Sequence, residues 1–178
     1  WVAIHDAARP LVSDDLISRT FAAAQQYGAA VPALAASLTI KQDITIAAPI
    51  ETAWEAVLDQ LGPKSEMPDR KPFPFKLEAW PGGRLYRDLG NGTGHLWGHV
   101  QVIKPPKLLE IWGPMMMSYP AVNHIQYRLT ADGPTTRLEL THRAMGVIEE
   151  QHRDGMPKGF EFWVKRMKEL AEGRANKR

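Results

Sequence analysis

Histidine, arginine and tyrosine are the side chains with which this 178-residue chain could do chemistry: it has six His and no Cys. The missing thiol excludes a thiolate nucleophile, a disulfide scaffold, a Cys-ligated zinc and an iron–sulfur cluster together. His95 and His99 stand four apart, a metal-ligand spacing on a helix. Their surroundings read as strand, where a rise of about 3.3 Å per residue puts them about 13 Å apart, so no metal site is expected. His124 falls on the polar face of its strand. His142 follows Leu138 and Leu140 on a face that should point inward, as a hydrogen-bonded edge histidine or as a polar contact for a ligand oxygen in an apolar pocket. Arg87 and Tyr127 share that inward parity, but no carboxylate joins the three, so no oriented acid–base pair is visible. The run Gly90-Asn91-Gly92-Thr93-Gly94 could cradle phosphate only if it opened a helix; it opens period-two sequence and reads as a type I′ hairpin turn.

Composition sets the frame for these residues. With 44% hydrophobic and 24% charged residues, 14 Gly and 14 Pro, a packed core is expected rather than low-complexity disorder. A net charge of +2 lacks the basic, aromatic-interleaved stripe of a nucleic-acid binder. Lys165, Arg166, Lys168, Arg174, Lys177 and Arg178 near the C-terminus read as a solvated helix face. The longest nearly apolar stretch, Ala29 to Ala36, contains Pro32 and is far short of the roughly 18 to 20 residues of a membrane span. No secretory leader is visible, so a cytoplasmic location is expected. The first residue is Trp1, and the natural chain is expected to extend upstream.

Two unlike pieces must position the chemistry, residues 1–37 and 38–178. The first reads as β-α-β: Val2 to Ile4, then a helix capped by Ser13 with Asp14 and Asp15 in its first turn, stopped at Gly28, then Ala29 to Leu34. The second opens with a strand around Ile44 and Ile46. An amphipathic helix follows, started by Pro49 and lined by Ile50, Trp54, Val57, Leu58 and Leu61. From Phe73 the period is two, and six strands fit: Phe73 to Ala79, Leu85 to Leu89 with Arg87 on the same face, Val100 with Val102, Leu109 with Ile111, Ile125 to Leu129, and Leu138 to Leu140. Such alternation belongs to an antiparallel sheet with one wet face. A closing helix carries Phe160, Trp163, Val164, Met167, Leu170 and Ala171 as a stripe, and the dry face of the sheet is the surface available to cover it.

This order of elements is that of the helix-grip fold, an α+β architecture in which a curved antiparallel sheet surrounds a long C-terminal helix, here with a short N-terminal β-α-β appendage. The runs Pro81-Gly82-Gly83-Arg84, Gly98-His99-Val100-Gln101-Val102, Leu108-Leu109-Glu110-Ile111-Trp112, Thr136 to His142 and Gly159-Phe160-Glu161-Phe162-Trp163 resemble the bacterial SRPBCC, or START-like, proteins over residues 38 to 172. The pattern is closest to homologues of the heat-shock-protein ATPase activator. The resemblance implies an apolar cavity between sheet and helix that holds a lipid, polyketide or similar small molecule, a chaperone as an alternative partner, and a homodimer as a compatible assembly. Cyclase or aromatase-like chemistry in the cavity is the form that catalysis would take.

His5-Asp6-Ala7-Ala8-Arg9-Pro10-Leu11-Val12-Ser13 and Gly28-Ala29-Ala30-Val31-Pro32-Ala33-Leu34 resemble an internal stretch of the methylerythritol-phosphate cytidylyltransferase of isoprenoid biosynthesis, over residues 1 to 41. The resemblance carries over Asp6, by metal and nucleotide, and Arg9, on the sugar phosphate, with Thr39 and Lys41; the Asp expected at position 38 is Leu38. The glycine-rich, Arg- and Lys-bearing loop of that family does not precede His5, and the segment reads as an inactive remnant.

The expected cavity is therefore lined by Phe75, Leu77, Arg87, Val100, Ile111, Tyr127, Leu140, His142, Trp163 and Met167. Its mouth is expected at Met115, Met116, Met117 and Tyr119, since three successive methionines in a connection cannot all face inward and their polarizable side chains suit a shape-tolerant opening. Neither a cofactor nor a metal is expected. Trp54, Trp80, Trp97, Trp112 and Trp163 belong to elements bordering the grip, and most of them are expected in its core.

Overall fold

The computed structural model describes residues 14–30 and 38–177. The chain divides into two compact units, residues 1–35 and 36–178. In the first, the described part is one helix, α1 (Asp14–Tyr27), with Asp14 and Asp15 in its first turn. It stops at Gly28, which takes φ +88° and donates its N–H to Ala24 O at 2.8 Å, a left-handed cap that favours glycine. The strand expected at Val2 to Ile4 and residues 31–34 of the next one lie outside the described residues, while Ala29 and Ala30 are not in a strand.

The second unit runs β1 (Leu38–Ile46), α2 (Ile50–Gln60), β2 (Lys76–Leu77), β3 (Arg84–Gly90), β4 (Thr93–Lys104), β5 (Leu108–Gly113), β6 (Ala121–Asp132), β7 (Thr135–Gly146) and α3 (Glu150–Ala175). The strands form one sheet, ordered β1-β7-β6-β5-β4-β3-β2, with every pair antiparallel. Helices α2 and α3 pack on each other, α3 against β1 and α2 against β6. This is the expected α+β helix-grip architecture.

Strand alternation sets the core. Ile125, Tyr127 and Leu129 on β6 and Leu138, Leu140 and His142 on β7 are all buried, as are Leu109 and Ile111 on β5. From α3, Met156, Phe160, Trp163, Val164, Met167 and Ala171 meet them, at the three- and four-residue spacing of a single helix face. The basic C-terminal residues are spent in ion pairs: Lys165 with Glu161, Arg166 with Glu66 and Glu169, Lys168 with Glu172, Arg174 with Glu55 and Asp59.

Several local expectations need correction. Phe73 to Ala79 is not one strand; only Lys76 and Leu77 pair with β3, because Pro72 and Pro74 have no N–H to give to a ladder. The Asn91-Gly92 turn forms as expected, with φ +52° and +73° between the paired Gly90 and Thr93. The strands leading from it are irregular. The β3–β4 register jumps from Leu85↔Gly98 to Tyr86↔Leu96, leaving Trp97 as the extra residue. A second shift between Asp88 and Gly90 passes over Leu89, and a third between Val100 and Val102 pairs Val102 with Glu110. Each bulge breaks the period of two, which leaves Leu89 53% exposed and Val102 half-buried. Of the five tryptophans bordering the grip, Trp54, Trp97 and Trp163 are buried, while Trp80 and Trp112 are 57% and 48% exposed.

The inward and outward faces carry unequal energy. In urea denaturation, Leu140→Ala should lower the unfolding free energy by about 3 kcal/mol, the typical cost of emptying a fully buried leucine site. Trp112→Ser should cost under about 1 kcal/mol; equal losses would place the core on the wrong face.

Candidate functional site

Three segments meet beyond the end of the close-packed core: β4 at its bulge, the N-terminal half of α3, and the loops at 62–75 and 113–120. The bulge turns Trp97 inward directly beside Gly98, so two successive residues of β4 are buried. Trp97 stacks on Trp163 of α3 with ring centroids 6.0 Å apart and planes 17° apart. Phe75 meets the edges of both indoles at 4.6 and 6.0 Å, and Phe160 stands edge-on to Trp163 at 6.1 Å. Such edge-to-face pairs contribute roughly 0.5–1.5 kcal/mol each beyond their buried area.

This cluster walls a cavity of about 250 Å³. Its floor is Trp97, Phe160 and Trp163, and its sides include Met156 and Gly159 of α3, with Met67, Pro68, Phe73 and Met116 from the loops. Among the described residues no titratable side chain lines it. A second cavity of about 450 Å³ shares Phe73, Trp97 and Met116 with the first, so the two adjoin, and it adds Arg87, His95, Met115, Met117 and Ser118. The loop carrying Met67 and Pro68 is tied to α3 by Arg70 to Glu169 at 2.7 and 2.9 Å and by Arg166 to Glu66 at 2.6 Å. Arg70 and Glu169 are about half exposed, and exposed pairs of this kind hold a loop with about 0–1 kcal/mol each.

The methionine loop is built by backbone geometry. Gly113 ends β5 against Gly98, and a Cβ on either glycine would run into the neighbouring strand's backbone. Met115 then takes φ +54° and donates its N–H to Trp97 O at 2.8 Å, a left-handed conformation costly for a non-glycine residue. Met115 and Met117 are buried and Met116 half-buried. Two of the three methionines thus do face inward, because the left-handed turn at Met115 reverses the chain. Tyr119 lies outside both cavities; its hydroxyl shares a 2.6 Å hydrogen bond with His152 Nδ1, and the two rings stack.

Below the cavity floor is a buried polar chain. Asn123 Nδ2 donates to Gly113 O at 3.3 Å and Pro114 O at 3.0 Å, so its Oδ1 is the atom facing His142 Nε2 at 2.7 Å. Nε2 must therefore carry the proton, and His142 Nδ1 is left as a buried acceptor without a partner. The imidazole lies 4.8 Å from the Phe160 ring. Burial, with a smaller contribution from His124, holds the His142 pKa down at about 4. Tyr127 is fully buried with its hydroxyl unpartnered, and burial pushes that hydroxyl upward.

Of the ten expected lining residues, the structure brings Arg87 and Trp163 to the cavity walls. Val100, Ile111, Tyr127, Leu140, His142 and Met167 are packed core, Phe75 backs the aromatic cluster, and Leu77 is half-buried on β2. The space lies at one end of the grip, not along it. Thr39 and Lys41 are exposed on β1, opposite Arg143 and Thr141, while Asp6 and Arg9 lie outside the described residues. His95 and His99 are not brought together on a metal; His99 Nδ1 lies 3.3 Å from Gly82 O. Among the described residues no cluster of three metal-ligating side chains occurs, and no helix is long and apolar enough to cross a membrane. Trp97, Phe73, Met156, Phe160, Gly159 and Asn123 were not assigned to the site by sequence. The helical spacing of Met156, Phe160 and Trp163 was the available signal for the α3 wall.

Comparison with known proteins finds likenesses of two kinds. Residues 1–54 match the family model of 2-C-methyl-D-erythritol 4-phosphate cytidylyltransferase. The bifunctional enzyme IspD/IspF of Rhodopseudomonas palustris strain HaA2 is 61% identical over 41 residues, 23% of this chain and 10% of that protein. That of Desulfotalea psychrophila is 40% identical over 68 residues, 36% of this chain and 18% of that protein. The chain thus spans about a tenth of the length of the curated relatives it matches first. Solved structures share the fold of the second unit. CalU16 from Micromonospora echinospora superposes with a TM-score of 0.54 at 22% identity, covering 78% of this chain and 79% of that one. DynU16, from the dynemicin biosynthetic locus, gives 0.57 at 17%, covering 75% and 47%. The Aha1 dimer from Colwellia psychrerythraea gives 0.55 at 16%, covering 76% and 96%. These likenesses establish the helix-grip fold.

The buried imidazole has a thermodynamic signature. His142 binds a proton near pH 6.5 when unfolded and near 4 when folded, so the unfolded state is the more protonated across that window. Its contribution is complete above pH 6.5 and is lost as pH falls toward 4, by roughly 3 kcal/mol in total. Urea midpoints measured from pH 7.5 to 4.5 should fall more steeply for the wild type than for His142→Gln; parallel curves would show that this group does not titrate on unfolding.

Proposed function

We propose that the helix-grip unit, residues 38–178, binds an apolar small molecule in the two adjoining cavities at the end of the grip, and that residues 1–37 form a separate cytidylyltransferase-like piece that is inactive in this chain. One observation carries the reading: an aromatic-walled space of about 250 Å³ opens beside a larger one of about 450 Å³. The larger falls within the range of small-molecule sites, about 300–1,000 Å³. Among the described residues the smaller space is lined by apolar side chains alone and no carboxylate lines either space, which supports holding a guest more than making or breaking its bonds. The fold shared with DynU16, of the dynemicin biosynthetic locus, agrees with a lipid, polyketide or similar guest. The fold shared with the Aha1 dimer supports the alternative, a chaperone-linked module that forms homodimers; that reading requires co-purification with a heat-shock ATPase and no use of the cavity.

Gly159 separates the two. It lies in the cavity wall, and a Cβ built on it meets nothing within 4 Å, so a larger side chain there fills the space without moving backbone. Gly159→Leu should weaken fluorescence-detected binding of N-phenylnaphthylamine at least tenfold. The same change should keep or raise the melting temperature, because replacing a mid-helix glycine contributes up to about 1 kcal/mol. Unchanged probe binding in the folded variant would remove the cavity from function. The paired substitution Met115→Ser with Met117→Ser should instead lower stability by more than about 2 kcal/mol, since both side chains are buried; a change in probe binding alone would return them to a mere mouth.

A further inference from the structure

Among the described residues, the second cavity contains a cation with nothing to neutralise it. Arg87 on β3 stands opposite His95 on β4, and both line the 450 Å³ space. The guanidinium lies over the Phe73 ring, its central carbon 3.6 Å from the ring centroid. A contact through the ring leaves the N–H donors of the group free for a further partner. Among the described residues its side chain makes no hydrogen bond or ion pair, and Nε is buried without a partner. The neighbouring cations differ: Lys76 is paired with Asp88 at 2.7 Å and Arg84 with Glu78 at 2.5 Å. Among the described residues no Asp or Glu lines the cavity. A buried donor of a charged group left unmatched is costly, and a planar oxyanion answers the fork of a guanidinium with two parallel hydrogen bonds.

We propose that the guest is an amphipathic anion, its carboxylate or sulfonate held edge-on by Arg87 in the larger cavity and its apolar body against Trp97, Phe160 and Trp163 in the smaller. The shared wall of Phe73, Trp97 and Met116 makes one molecule spanning both spaces the economical occupant. The Ser118 hydroxyl and the His95 ring, in the same lining, supply further donors to an anion. This rests on the reading that the cavities hold a small molecule, and it adds the charge that the molecule carries.

The test compares anilinonaphthalene sulfonate with the neutral N-phenylnaphthylamine, which share an apolar body and differ by the anion. The ratio of their affinities should fall roughly ten- to hundredfold in Arg87→Met, the range of a charge-assisted hydrogen bond, and by an intermediate amount in Arg87→Lys, which keeps the charge but not the fork. A ratio unmoved by Arg87→Met, with both probes still bound, overturns the Arg87 anchor and leaves the apolar site standing, as does binding of the neutral probe alone to the wild type; failure of both probes to bind the folded wild type overturns both. Nuclear magnetic resonance of the wild type gives an answer independent of the variants' folding. The Arg87 Nε–H resonance should shift on adding the sulfonate and stay in place on adding the neutral probe, and an unmoved resonance under saturating sulfonate counts against the anchor.

Discussion

Two helices have to dry one face of a sheet seven strands wide, and they are not wide enough. Six inter-strand spacings of about 4.8 Å make a sheet about 29 Å across, while each helix is about 10 Å thick with its side chains. Helices α2 and α3 complete the job over β1, β7 and β6, where Tyr127, Leu138, Leu140 and Met167 have no exposed surface. Toward β4 and β3 the cover passes to loops, and loops pack less closely than helices. The cavities lie there, at the limit of what the helices can shield.

That limit explains the chemistry of the walls. Where the helices reach, side chains interlock and the buried polar groups are few: Thr136 gives its hydroxyl to Ala48 O at 2.8 Å, and His142 is held by Asn123. Where only loops reach, the lining is mostly methionine, proline and aromatic side chains, with Arg87, His95 and Ser118 on the larger space, and methionine fills irregular space without demanding partners. Asn123 connects the two regimes, since one amide fixes both the tautomer of a core histidine and the carbonyls of the loop that roofs the larger cavity.

Much of the architecture was legible because alternation and helical spacing are local. The β6 and β7 faces, the α3 stripe from Phe160 to Ala171 and the Asn91-Gly92 turn all follow from residues within a few positions of one another. The site was less legible because it depends on interruptions of those same patterns. The bulge that turns Trp97 inward, the prolines that stop the ladder at Phe73, and the left-handed Met115 that buries its neighbours are each a single-residue event whose sense is set by a partner strand. Parity therefore placed Leu140 and Met167 on the inner face correctly, yet could not say that this part of the interior is full. The N-terminal resemblance shows another limit: the family match runs to residue 54, through β1 and into α2, elements that here belong to the grip.

The stacking of Trp97 on Trp163 has a consequence beyond packing. Two indoles held nearly parallel at this separation exchange excitation energy, and the handedness of their arrangement gives their absorption bands a signed ellipticity. Any visitor that slips between or beside them alters that splitting before it disturbs the backbone. The molecule thus carries a built-in optical gauge of its own interior, needing no label to be read.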